Sequence, residues 1–106
     1  MDVNHIVVLV TAKDEEEAAT ISRKLLEDKL AACVNIVKQV RSLFRWEGKV
    51  DDVGEALMVI KTQEVCFERL VKAVRSVHSY TVPEIIALPI IHGYEPYLKW
   101  VSENAH

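Results

Sequence analysis

The sequence predicts an α+β domain, an antiparallel sheet with two helices packed on one face, on three observations. Short β-branched runs alternate with two stretches of helical periodicity. A long extended segment in the middle is broken once, by a glycine. No internal repeat and no Pro/Gly-rich linker divides the chain, so residues 1–106 read as a single domain.

Ile6 to Val10 is the first strand, and the periodicity changes at Thr11-Ala12-Lys13. Asp14, followed three residues later by Glu17, resembles a capping box, and Glu15 to Glu17 place negative charge on a helix N-terminus. Ala18, Ile21, Leu25 and Leu26 recur at helical spacing, so the first helix runs from Asp14 to about Lys29. From Ala31 the chain alternates, with Val34, Ile36, Val40, Phe44 and Trp46 on one side and Asn35, Gln39, Arg41 and Arg45 on the other. Gly48 supplies the positive φ of a tight reversal, and a second extended stretch from Lys49 to Thr62 completes a long hairpin. Asp51-Asp52-Val53-Gly54 breaks the alternation and is the expected place of a bulge.

The stretch from Glu64 to about Val77 carries Phe67, Leu70, Val71, Val74 and Val77 at spacings of three and four, which makes it the second helix. His78 to Pro83 is a loop. The segment from Glu84 to Ile91 is a strand whose Pro89 calls for an edge or an end. After Gly93, Pro96 opens a short C-terminal helix with Tyr97, Leu98, Trp100 and Val101. The order βαββαβ plus a short helix is the ferredoxin-like arrangement.

That topology bears on assembly. Two helices cover one sheet face, yet Ile6 to Val10, Leu57 to Ile60 and Ile85 to Ile91 are apolar at successive positions and face both ways. No spare element is large enough for the other face, so further copies of the chain are expected there, in a closed cyclic oligomer. Phe44, Trp46 and Val50 at the hairpin tip need similar support.

Composition excludes several functions. The 13 Lys and Arg against 16 Asp and Glu give a net charge of −3 with no basic run, which speaks against a nucleic-acid partner. The first apolar run is five residues long and follows Asp2, too short for a secretory core or a membrane span, so no membrane is expected and the cytoplasm is the expected compartment. Cys33 and Cys66 stand far apart and read as reduced, packed thiols. No Cys-x-x-Cys, Gly-rich anion cradle or pair of strand aromatics marks a metal chaperone, an acyl-phosphate hydrolase or an RNA binder. Nothing calls for an enzyme or an organic cofactor.

Among His5, His78, His92 and His106, only His78 has company. It opens a loop that also supplies Tyr80 and Glu84, an imidazole, a phenol and a carboxylate that together suit a borderline divalent metal. A Pro-containing connector with no function is the alternative reading of the same loop. Trp46 and Trp100 are either stacking platforms or core and interface anchors.

Several segments together resemble the CutA family of divalent-cation tolerance proteins. They are Ala31-Ala32-Cys33-Val34-Asn35-Ile36, Trp46-Glu47-Gly48-Lys49, Ile60-Lys61-Thr62, Tyr80, Pro83-Glu84-Ile85-Ile86 and Tyr97-Leu98-x-Trp100. The resemblance, from Val7 to Trp100, implies a ferredoxin-like homotrimer built like the PII signalling proteins. It implies a non-catalytic part in tolerance of copper and other divalent ions. Only His78 carries over as a metal residue, so a site here is weak, shared between subunits, or completed by Glu84 or a thiol, and Trp46, Glu47, Lys61, Tyr80 and Trp100 are the candidates for lining a ligand cleft or subunit interface. This chain departs from the family pattern at Ser79, where a proline is usual, and at Val10 and Val77, where some members carry a cysteine and a histidine. A single imidazole holds Cu(II) or a similar ion only weakly. The alternatives are a PII-like sensor of a small anionic ligand, with Lys61 near it, and a trimeric interaction module.

Overall fold

A computed structural model describes residues 4–106; Asp2 lies outside them. The elements are β1 (His5–Ala12), α1 (Glu15–Glu27), β2 (Cys33–Trp46), β3 (Lys49–Gln63), α2 (Phe67–Val77), β4 (Ile85–Pro89) and α3 (Glu95–Asn104). A 3-10 turn over Glu64–Cys66 precedes α2, so the expected single helix from Glu64 begins as a tighter turn. The four strands form one antiparallel sheet in the order β2-β3-β1-β4. The α+β, ferredoxin-like expectation holds, and β4 is an edge strand that ends on Pro89, where a missing donor costs no ladder bond.

Alternation along the central strands divides the apolar residues between two faces. Ile6, Val8, Val10 and Ala12 of β1 and Ala56, Met58 and Ile60 of β3 are buried beneath the helices. Ile21 and Leu25 of α1 and Leu70 and Val74 of α2 complete that core. Thr62, the polar member, is satisfied by donating its hydroxyl to Leu30 O at 2.7 Å. The residues between them, Val7 and Leu9 of β1 and Leu57 and Val59 of β3, point to the other face and are only partly covered. Ile86 and Leu88, their neighbours on β4, are 51% and 50% exposed.

One element does reach that second face, but it is too small to cover it, as expected. His5 and Gln63 alternate with buried Ile6 and Thr62, so they lie on the helix-poor side, and α3 docks on them. Ser102 Oγ lies 2.7 Å from His5 Nε2, and Gln63 Nε2 donates to Ala105 O at 2.6 Å. Val101 and Ala105 are fully buried there. The helix is ten residues long and packs mainly on β1 and β3, while Ile86 and Leu88 of β4 and Phe44 and Trp46 of the distal hairpin stay exposed.

The hairpin turn is as short as a hairpin allows. Trp46 pairs with Lys49, and the two residues between them, Glu47 and Gly48, have φ of 49° and 77°. Both positive values belong to a type I′ turn, whose twist matches that of the strands.

The bulge lies elsewhere than expected. Asp51 to Gly54 pair in unbroken register with Phe44 to Arg41, while Val37 pairs with Leu57 and Val40 with Glu55. Two residues of β2, Lys38 and Gln39, therefore face Ala56 alone. The extra residue inverts the alternation of everything beyond it. Val34 and Ile36 pack on the helix-side core, whereas Val40, Ser42 and Phe44 stand beside Glu55, Val53 and Asp51 on the opposite face. The single side expected for Val34 through Trp46 is thus two sides.

Candidate functional site

A cleft of about 820 Å³ lies between the distal hairpin and the loop after α2. The bulged part of β2 contributes Ser42, Phe44 and Trp46, β3 contributes Asp51 and Glu55, and the loop contributes Tyr80 and Glu84. Three carboxylates thus line the cleft against one cation, Arg41. Arg41 is occupied by Asp52, with Nε donating to Oδ1 at 2.9 Å and Nη2 to Oδ2 at 2.6 Å. This fork holds the Asp52 carboxyl below its usual range.

The loop wall is fixed by a latch that starts on α1. Asp14 caps that helix by accepting Glu17 N–H at 2.8 Å, as the sequence predicts. Glu17 does not return the bond to Asp14. Its Oε1 accepts Lys13 N–H at 3.0 Å, and its Oε2 accepts Ser79 N–H, 2.9 Å away in the loop. Burial alone would raise the Glu17 carboxyl, but these two donors hold it below its ordinary value.

His78 is the second half of the latch. Its side chain is fully buried, and Nε2 lies 2.8 Å from Thr11 O while Nδ1 accepts Tyr80 N–H at 3.0 Å. A carbonyl only accepts and an amide N–H only donates, so these partners assign the neutral Nε2–H tautomer. Both nitrogens are engaged, and as placed the ring has no lone pair to offer a metal. His78 lies outside the cleft lining and holds Tyr80 at its edge, with ring centroids 4.8 Å apart.

Tyr80 O–H donates to Glu55 Oε2 at 2.8 Å. Burial, then the Glu55 carboxylate, push the phenol well above its usual range, so Tyr80 stays a neutral donor.

The seven sequence candidates therefore separate. Trp46, Tyr80 and Glu84 meet at the cleft, Glu84 exposed and Trp46 half-exposed, with Glu47 next to them in the turn. Lys61 and Trp100 belong to the other end of the sheet. Lys61 pairs across the ladder with Cys33 and hydrogen-bonds Asn35 Oδ1, and Trp100 stacks on Tyr97 at 5.7 Å. Cys66 is buried in the core, and Cys33 is only partly covered. Among the described residues, no three His, Cys, Asp or Glu lie close enough together to hold one metal ion. No helix among them is long and apolar enough to cross a membrane. Sequence reasoning missed Glu17, whose only signal was the capping box, and Glu55, whose surroundings are set by the bulge.

Residues 6–104 match the family described as CutA1 divalent ion tolerance protein. The chain is 49% identical over 98 residues to the divalent-cation tolerance protein CutA of Thermus thermophilus, covering 92% of this chain and 95% of that one. It is 47% identical over 94 residues to mouse protein CutA, covering 89% of this chain and 53% of that protein, so it spans about half the mouse protein's length. The solved structure of a Thermus thermophilus divalent cation tolerance protein (Cut A1) superposes with a TM-score of 0.94 at 47% identity, over 96% of this chain and 99% of that one.

Proposed function

The chain belongs to the CutA1 family of divalent ion tolerance proteins, and from that premise we propose that it is a non-catalytic homotrimer acting in cytoplasmic divalent-cation tolerance, binding copper(II) or a similar ion weakly through Glu84. The observation that carries this reading is the family match, which extends over residues 6–104.

The donor set fits weak binding. Glu84 is an exposed carboxylate on the cleft wall. Tyr80 is a neutral phenol already committed to Glu55. A divalent ion held by one carboxylate and water is loosely and reversibly bound. In this reading His78 fixes the loop that carries Glu84 rather than meeting the ion itself, because both of its nitrogens are engaged. The trimer is supported by the apolar residues left open on the helix-poor face, Val37, Ile86 and Leu88.

Calorimetric titration of copper(II) tests the assignment. Wild type should give a weak, saturable isotherm, and Glu84→Gln should weaken it severalfold while the fold stays intact by circular dichroism. Identical isotherms would remove Glu84 from the site.

A further inference from the structure

We propose that Glu55 and Lys61 form an ion pair between neighbouring copies of the chain, the carboxylate of one closing on the ammonium of the next, so that the cleft beside Tyr80 is complete only in the assembly. The pairing rests on the proposed trimer and is independent of the metal.

Both charges stand on β3 and face away from the helices. Glu55, Leu57, Val59 and Lys61 alternate with buried Ala56, Met58, Ile60 and Thr62, so all four belong to the helix-poor face. An apolar strip, Leu57 and Val59 with Leu9 across the ladder, thus ends in a carboxylate on one side and an ammonium on the other. Six residues of strand set the two about 20 Å apart, beyond the reach of their side chains. Within one chain, among the described residues, neither has an opposite charge in contact. Glu55, already 6% exposed in a single copy, accepts one side-chain bond, from Tyr80 O–H at 2.8 Å. Lys61 Nζ donates to Asn35 Oδ1 and, at 3.2 Å, to Val59 O, both neutral acceptors.

A second copy is the occupant these observations fit. Ile86 and Leu88, beside the strip on β4, are half-exposed apolar side chains that a neighbour would cover. Covering the strip takes water from both of its ends at once, and an ion stripped of water is stabilised only by a close opposite charge. A face with an acid at one end and a base at the other is complementary to its own copy. In a closed ring each chain then offers Glu55 to one neighbour and Lys61 to the other. The remaining charges that β3 turns to this face, Lys49 and Asp51, lie two residues apart at the hairpin tip, where Lys49 is exposed. Arg41, in the cleft, is held by Asp52. Lys61 is the cation of β3 that remains. The pairing brings it into one site with Tyr80 and Trp46, although its own chain keeps it at the far end of the sheet.

Charge reversal tests the pair. Dilution of the full chain, followed by light scattering in enough urea to bring dissociation into range, gives the concentration at which half of the oligomer has come apart. Glu55→Lys and Lys61→Glu should each raise that concentration by about tenfold or more, the order expected when a desolvated pair loses a member. The double variant should recover most of the loss, because the exchanged charges meet again between copies. Residues about 20 Å apart in one chain do not couple in this way, so recovery reads a contact between chains. Glu55→Gln and Lys61→Met complete the same cycle should a reversal not fold, and there the double change should cost less than the two single losses combined. Lys49→Glu combined with Glu55→Lys is the control and should recover nothing. The proposal is overturned if the double variant loses as much as the two single variants together, or if Lys49→Glu rescues Glu55→Lys. A wild-type monomer would refute the trimer itself, whereas a wild-type trimer with additive losses would refute the pairing alone.

Discussion

Glu17, in the first turn of α1, accepts the amide hydrogen of Ser79 at 2.9 Å, tying the start of the first helix to the loop that follows the second. The same carboxylate accepts Lys13 N–H, so one side chain satisfies two loop amides. Glu17→Ala should cost about 1.5–3 kcal/mol, the range for hydrogen bonds to a charged group. The pH dependence has a definite sign. A carboxyl depressed by folding stabilises fully above its unfolded value, near 4.5, and that contribution disappears as pH falls through the lower folded value. Urea midpoints across the acid range should fall less steeply in the variant than in wild type.

His78 braces the loop from inside. His78→Ala leaves Thr11 O and Tyr80 N–H without their partners and should destabilise by about 2–4 kcal/mol, read by denaturant unfolding. Amide exchange at Ser79 and Tyr80 should quicken in the same variant. Unchanged exchange would mean that the loop holds its shape without the imidazole.

Tyr80 and Glu55 should behave as a coupled pair. Tyr80→Phe deprives a buried carboxylate of its donor and should cost about 1–3 kcal/mol, whereas in a Glu55→Gln background the same change should cost less. Burial, then the bond to Glu55, raise the phenol, and ionising Tyr80 would set two negative charges side by side. Its stabilising bond is therefore intact below the ordinary phenol value near 10 and lost only as pH rises through the higher folded one. Burial raises Tyr97 as well, so spectrophotometric titration should find two tyrosines resisting ionisation, and Tyr80→Phe should leave one of them.

The turn contains a residue that its backbone does not suit. Glu47 sits at φ 49°, where side chains other than Asn, Asp or Gly are disfavoured. Glu47→Asn should stabilise by about 0.5–1 kcal/mol in thermal unfolding.

Assembly is open to a direct measurement. Light scattering on a size-exclusion peak should return three times the 12.0 kDa of one chain. Leu88→Lys, which puts a charge on the uncovered face beside Val7, should lower that mass. A wild-type monomer at micromolar concentration would refute the trimer.

Much of the fold could be read from local pattern. The period-2 runs around Val8 and Ile60, the helical spacing of Ile21 and Leu25, and Pro89 at a strand end each reflect short-range sterics and one-sided burial, which leave marks on composition. The cleft was harder to see. Tyr80 and Glu84 stood out as a cluster, but Glu55 acquires meaning only because Tyr80 reaches it from 25 residues away. His78 looked like a ligand because sequence shows an imidazole and not the carbonyl and amide that occupy it. The misplaced bulge has the same origin: Asp51 to Gly54 interrupt the apolar pattern, yet their pairing is regular, and the irregular pair Lys38-Gln39 looks ordinary in one dimension.

That irregularity acts as a phase shifter. Deleting Lys38 alone would leave Gln39 facing Ala56 one to one and restore strict two-residue periodicity, with Ser42, Phe44 and Trp46 still beside Val53, Asp51 and Lys49 and the proximal ladder from Cys33 to Val37 unmoved. The extra residue is thus what lets a strand whose pattern changes phase at Lys38-Gln39 keep a continuous ladder on both sides of the change.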